Sequence, residues 1–253
     1  SVRATLERLG APAAGGGPLS PLLADLQQRG GALLAELNQA VARATAAGKA
    51  MEPREWEALV WKLRDFRDQA ARPILWAASP GSPPVPPSVE AMQSPTVEIS
   101  MAQNEREAQV LFLNGVLLDQ PVRLRLQLSD LTGAPSRSGT PAPRLEARRV
   151  EVMEAVPVPL RTGGSVADPL VPLPLSGIIT LAPDETKELW VQVDSEGLEP
   201  GYYSGELSIL PVDPRIGGRG LSLPLRVGVA VGVAFGDAGV SVRVRLRLFG
   251  AEP

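Results

Sequence analysis

Cysteine and histidine are both missing from the 253 residues. Their absence removes thiol nucleophiles, disulfides, imidazole bases, Ser-His-Asp triads and the usual zinc and haem ligand sets. Carboxylates, Lys, Tyr, Ser/Thr and backbone groups are the reactive chemistry that is left. Aromatic residues are scarce at 4%, with 4 Trp, 2 Tyr and 4 Phe, so a stacking surface has few supports. The net charge of −3 argues against a dedicated nucleic-acid binder, which needs concentrated basic surface. No apolar run approaches the roughly 20 residues of a membrane-spanning helix; the longest, 227–235, reads as a buried strand.

Hydrophobic residues at 44% and charged residues at 21% fit a folded globular chain. With 26 Pro and 25 Gly, about a fifth of the chain forms turns, which favours many short strands. Residues 1–18 end in Ala13-Ala14-Gly15-Gly16-Gly17-Pro18, a flexible lead-in. Leu19, Leu23, Leu26, Leu33, Leu37, Val41 and Ala44 then recur at three- and four-residue steps. That period predicts a long helix over 20–47, with Ser20 as N-cap, Pro21 at N1 and Gly48 as C-cap. A second helix is expected from Pro53 to before Pro73, its apolar face built by Trp56, Leu59, Val60, Leu63, Phe66 and Ala70. The short connector folds the two into an antiparallel hairpin. Residues 79–95, opening Ser79-Pro80-Gly81-Ser82-Pro83-Pro84, read as a stiff proline-rich spacer and a domain boundary.

Past the spacer the period changes to two. Val122, Leu124, Leu126 and Leu128 alternate with Arg123, Arg125 and Gln127, and Trp190 opposes the face of Leu189, Val191 and Val193. Leu207 and Ile209, the 221–231 run, and Val240, Val242, Val244, Leu246 and Leu248 continue the theme. Bounded by Gly, Pro, Asp and Ser, these runs predict antiparallel strands in a two-sheet sandwich. Pro224 demotes its run to an edge or bulged strand.

Three stretches carry more than alternation. Ala102-Gln103-Asn104-Glu105-Arg106-Glu107-Ala108-Gln109-Val110 leads to a strand ending Ser129-Asp130-Leu131; Asp168-Pro169-Leu170-Val171-Pro172-Leu173 follows; and Leu189-Trp190-Val191-Gln192-Val193 precedes Pro200-Gly201-Tyr202-Tyr203-Ser204-Gly205. In that order and spacing, over residues 95–231, they resemble the N-terminal β-sandwich domain ahead of the catalytic barrel in glycoside hydrolase family 123 and its relatives. In that family a barrel of roughly 250 residues carries the catalytic carboxylates, and the residues after Val231 are too few for it. The resemblance therefore implies an accessory fold with no active site carried over, and a bacterial periplasmic or extracellular setting.

Each polar or aromatic cluster has two readings. Asn104, Glu105 and Glu107 fit a sugar subsite, but hydrogen bonds to backbone at a sandwich corner are the preferred account. Asp184 with Glu185, and Asp194 with Glu196, invite a glycosidase pair, yet both sit in turns as solvated loop charge. Trp190, Tyr202 and Tyr203 could stack on a sugar ring; core and corner roles are preferred. Arg243, Arg245 and Arg247 share one side of the expected last strand, about 7 Å apart, and suit an acidic partner, lipid headgroups or a solubilised edge, the last favoured. Residues 213–220 are glycine-rich but open no helix, so they read as a hairpin loop rather than a phosphate loop. Trp56, Trp61 and Trp76 exceed what one helix seam needs and are candidate interface anchors.

These readings combine into an α+β multidomain chain, mainly β: lead-in 1–18, antiparallel helical hairpin 19–78, spacer 79–95 and antiparallel two-sheet β-sandwich 96–253. The expected function is a non-catalytic structural or scaffolding subunit, not an enzyme, with no metal or cofactor. It would dock onto a larger protein assembly through the hairpin and sandwich edges, with Trp56, Trp61, Trp76, Arg243, Arg245 and Arg247 at the interface. Protein subunits are the expected partners, with peripheral attachment to a membrane complex left open. The alternatives are a carbohydrate-binding accessory module using Trp190, Tyr202 and Tyr203, and a fragment of a glycoside hydrolase that continues into a barrel.

Overall fold

The computed structural model describes residues 19–85, 92, 95–133, 142–213 and 220–231. The lead-in, the run 240–248 with Arg243, Arg245 and Arg247, and most of the 213–220 loop lie outside the described residues.

Helix α1 spans Ser20–Ala46 and α2 spans Pro53–Ala70, matching the leucine period. Leu19, not Ser20, is the N-cap of α1, and no side chain bonds to its first turn. Packing of Leu19 against the core beneath sets the start instead. The C-terminal end is as expected: Ala47 caps, and Gly48 takes the left-handed conformation at φ 61°, which glycine adopts without a Cβ penalty. The helices run antiparallel, tied by three polar rungs. Arg29 donates to Gln69 at 3.1 Å, Lys62 pairs with Glu36 at 2.6 Å and Arg43 with Glu55 at 2.7 Å. The rungs fall seven residues apart on both helices, so successive pairs return to the same seam.

Twelve strands follow. One sheet, A, has the order β1 (Ile74–Ala78), β3 (Arg106–Asn114), β10 (Thr186–Asp194), β7 (Val150–Pro159), β8 (Ser165–Pro172). The other, B, has the order β2 (Val97–Ala102), β12 (Leu221–Ala230), β11 (Gly201–Pro211), β4 (Val122–Leu128), β9 (Ile178–Leu181). Short strands β5 (Leu131–Gly133) and β6 (Arg144–Leu145) add to B beside β11. Every pairing is antiparallel except β2 with β12. The fold is α+β, mainly β, with a two-sheet sandwich after two helices.

Strand β1 corrects one expectation. Residues 74–78, counted with the hairpin, pair along their whole length with β3. Ile74-Leu75-Trp76-Ala77-Ala78 is apolar at every position, so period cannot separate helix from strand there. The segment 79–95 accordingly joins a strand of sheet A to one of sheet B.

The core explains the layering. Between the sheets, Leu111, Leu113, Leu189, Val191 and Val193 of A meet Leu124, Leu207, Leu223, Leu225 and Val227 of B. On the other side of A, Leu22, Leu23 and Leu26 of α1 with Phe66 and Ala70 of α2 cover Ile74, Trp76, Val110 and Phe112. Sheet A is thus the middle layer of three. This is why residues 110–114 of β3 are buried without a break where a half-exposed strand would alternate. Pro224 sits in a strand that is interior over one part only: β2 pairs with β12 from Leu225 onward, so the proline's missing N–H falls where β2 is absent.

Candidate functional site

The residues singled out in the sequence do not assemble into one site. Trp56 and Trp61 are 50% and 63% exposed on α2. Trp76, expected at an interface, is instead 1% exposed in β1; its ring stacks on Phe112 directly across the strand pair, centroids 5.4 Å apart. Its neighbours on α1 and α2 cover it, and its Nε1 is a buried donor with no hydrogen-bond partner in the structure.

The three sugar-stacking candidates face three different surroundings. Tyr203 points between the sheets at 1% exposure and donates its hydroxyl to the carbonyl of Glu199 at 2.7 Å, the corner role preferred from sequence. Burial lifts its pKa above the ordinary phenol value, and the charge of Glu199 adds to the rise. Tyr202, one residue earlier, is 58% exposed on the outer side of sheet B. Trp190 lies on the helix-covered side of sheet A, half-buried, its Nε1 donating to Glu188 at 2.8 Å. Neighbours along a strand point to opposite faces, so Tyr202 and Tyr203 cannot share a platform.

The carboxylates are occupied. Asn104 Oδ1 accepts from the Gly197 amide at 3.0 Å, and Glu105 accepts from the Ala102 amide at 2.9 Å. Ser195, fully buried, accepts from the Glu105 amide and lies 2.9 Å from the carbonyls of Ala102 and Glu105. Gln103 donates to Leu198 O at 2.7 Å. Together these bonds lock the 102–105 turn to the 195–198 turn, as the backbone-corner reading requires. Asp194 pairs with Arg106 at 2.9 Å and accepts from the Glu196 amide at 2.9 Å; the amide bond first, then Arg106, holds its pKa below the usual carboxylate range. Glu185 accepts from the Ala182 amide at 2.7 Å and pairs with Lys187 at 3.1 Å, while Asp184 takes a left-handed turn at φ 59°. Asp130 is held by the Ala147 amide at 2.7 Å and by Arg144, which likewise depress its pKa. No group of three or more Asp or Glu among the described residues is placed to hold a metal ion.

Two features went unread in the sequence. A cavity of about 730 Å³ lies between the helices and the sandwich, lined by Arg29, Asp65, Arg72, Ile74 and Leu223 among others. Burial, then the charge of Arg29, lowers the Arg72 pKa, while Asp65 opposes the shift. It exists because the helices bridge onto β1 and the start of β12, elements far apart in sequence, and no local pattern marks it. The second is a set of exposed apolar residues on β7 and β8, among them Val156, Val158, Val166 and Val171. The alternation Val156-Pro157-Val158-Pro159 is a usable signal, since prolines at that density exclude a central strand.

No protein-family model matches the chain, and no curated protein is significantly similar to it. Among solved structures, the chain is similar to a family 123 glycoside hydrolase from Clostridium perfringens at 15% identity and TM-score 0.42, over 55% of this chain and 23% of that one. It is also similar to a human ASH/PapD-like domain at 11% identity and TM-score 0.35, over 55% of this chain and 84% of that one. A third similarity is to a chaperone–tip adhesion subunit complex of Acinetobacter baumannii Csu pili, at 12% identity and TM-score 0.33, over 63% of this chain and 52% of that one. The chain thus spans about a quarter of the length of the glycoside hydrolase it resembles.

Proposed function

We propose that this chain is a non-catalytic structural subunit that docks onto a larger protein assembly through its helical hairpin and sandwich edges. The observation that carries this reading is the exposure of Trp56 and Trp61, 50% and 63%, on a hairpin whose buried side is already spent on sheet A. Burying an exposed indole at a partner surface contributes strongly to association, and Trp is a frequent anchor in such contacts. The dispersal of Trp190, Tyr202 and Tyr203 leaves a carbohydrate platform without support, and the candidate carboxylate pairs are engaged in turns and ion pairs.

The test is gentle purification from the source of the full chain, alongside a Trp56→Ala/Trp61→Ala double variant of the same fold by circular dichroism. A defined set of proteins co-eluting with the parent and lost from the variant is the expected result. Elution of the parent alone as a monomer at micromolar concentration overturns the reading, as does turnover of a glycoside substrate.

A further inference from the structure

Sheet A continues past the point where the sandwich ends. β10 pairs with β7 only as far as Glu188↔Ala155, yet β7 and β8 remain paired out to Pro159↔Ser165. The outer half of β7 and β8 is therefore a two-stranded ribbon. Side chains alternate along a strand, so the core-facing side of β7 runs from Val150 and Val152 through Glu154 to Val156 and Val158, and on to Leu160. On β8 the register sets Val171 opposite Glu154 and Val166 opposite Val158. Five residues apart, Val166 and Val171 would point opposite ways in a regular strand; the register shift between Ala155 and Pro157 returns both to this face. Val156, Val158, Leu160, Val166 and Val171 are 36%, 40%, 46%, 44% and 45% exposed.

The two-sheet core closes at Lys187, which pairs with Glu154 at 2.5 Å and Glu185 at 3.1 Å. Beyond that ion pair the ribbon shows an uncharged apolar face of interior character. Contiguous apolar patches on a sheet mark contact surfaces, and an isolated two-stranded ribbon is marginal in water.

The chain carries one segment of matching chemistry. In residues 240–248, Val240, Val242, Val244, Leu246 and Leu248 fall on one side of an extended strand, with Arg243, Arg245 and Arg247 on the other. That apolar row matches the ribbon's apolar face, and neither row carries a charge. Reach also fits. Ala230 pairs with Ala102, next to the turn leading into Arg106; Arg106 lies opposite Asp194, beside the Val193↔Val150 pair. From the Val150 end to Val156 is roughly 20 Å along β7, and residues 232–239 supply roughly 26 Å when extended. We infer that residues 240–248 of the same chain lie as a strand over the bare face of the β7–β8 ribbon, Val and Leu side down, with the three arginines in solvent.

The absence of cysteine makes an introduced thiol the sole one in the chain. Val158→Cys reports on the ribbon's inner face and Ala167→Cys, opposite Pro157, on its outer face. Labelling with a bulky maleimide is compared between the full chain and a chain ended after Val231. Val158→Cys is expected to label at least tenfold more slowly in the full chain, with Ala167→Cys equal in both. Adding Val244→Glu to the full chain should restore fast labelling, whereas Arg245→Glu should not; this pair decides the matter if the shortened chain does not fold. Equal Val158→Cys rates in the full chain with and without Val244→Glu overturn the inference. Protection that disappears on dilution overturns it in favour of a second copy, and release by Arg245→Glu overturns the assigned face.

Discussion

The hydroxyl of Tyr203 donates to the main-chain carbonyl of Glu199 at 2.7 Å, so the ring that fills the space between the sheets also fixes the loop entering β11. Two contributions separate in mutants. Tyr203→Phe keeps the ring and loses the bond, at a cost of about 1 kcal/mol; Tyr203→Ala loses both, at a cost of about 3–5 kcal/mol. Urea denaturation of both variants checks the split, and equal losses would mean that the hydroxyl rather than the ring holds the corner.

Trp76 and Trp61 should behave as opposites. Trp76→Ala removes a side chain from beneath both helices and is expected to cost about 3–5 kcal/mol. Trp61→Ala, at 63% exposure, should change stability by no more than about 0.5 kcal/mol. Thermal unfolding of the two single variants, followed by circular dichroism, gives the comparison.

Ser195→Ala is a test of the corner network. The buried hydroxyl serves the Glu105 amide and the carbonyls of Ala102 and Glu105, and an alanine leaves those groups without it. A loss of about 1–3 kcal/mol is expected, with hydrogen exchange accelerated at the Glu105 amide ahead of the strand interiors.

Acid should weaken the fold through Asp130 and Asp194. Both carboxyls are held below their ordinary value of 3.8 by backbone amides first and arginines second. A depressed folded pKa contributes stability that is complete above the unfolded value and disappears as pH falls through the folded one. Stability should therefore decline below about pH 4, and an Asp130→Asn/Asp194→Asn variant, weaker at neutral pH, should decline less over the same descent. Urea midpoints at a series of pH values test this; parallel curves would count against it.

Gly205 is held by close approach rather than by φ. A Cβ there would lie 2.8 Å from Leu131 Cγ, 2.9 Å from Ser129 Oγ and 3.0 Å from Asp130 O. Gly205→Ala should cost about 1–3 kcal/mol and raise exchange at the Glu206 amide, which donates to Ser129 Oγ.

What was legible followed from local pattern. Leu23 and Leu26 announce a helix, and Val122, Leu124 and Leu126 a strand, because burial on one face imposes a period. The opposed faces of Leu189 and Trp190 follow from the same alternation, and Asn104 and Glu105 read as corner residues because their partners are nearby turns. Period is silent where both faces are covered: Ile74 to Ala78 and Val110 to Leu113 are apolar throughout, and only the packing of α1 and α2 on sheet A explains why. For the same reason the sequence could not tell Trp76, beneath the helices, from Trp61, outside them. The ribbon face was hidden differently, since Val166 and Val171 share it only through a register shift that no spacing reveals.

The Arg29–Gln69, Glu36–Lys62 and Arg43–Glu55 ties recur every seven residues on both helices. Such a ladder acts as a ruler: removing or adding one heptad in each arm moves the tip about 10 Å while every surviving tie keeps its partner. The distance between the sandwich and whatever the tip touches can therefore change in fixed increments without redesign of the base.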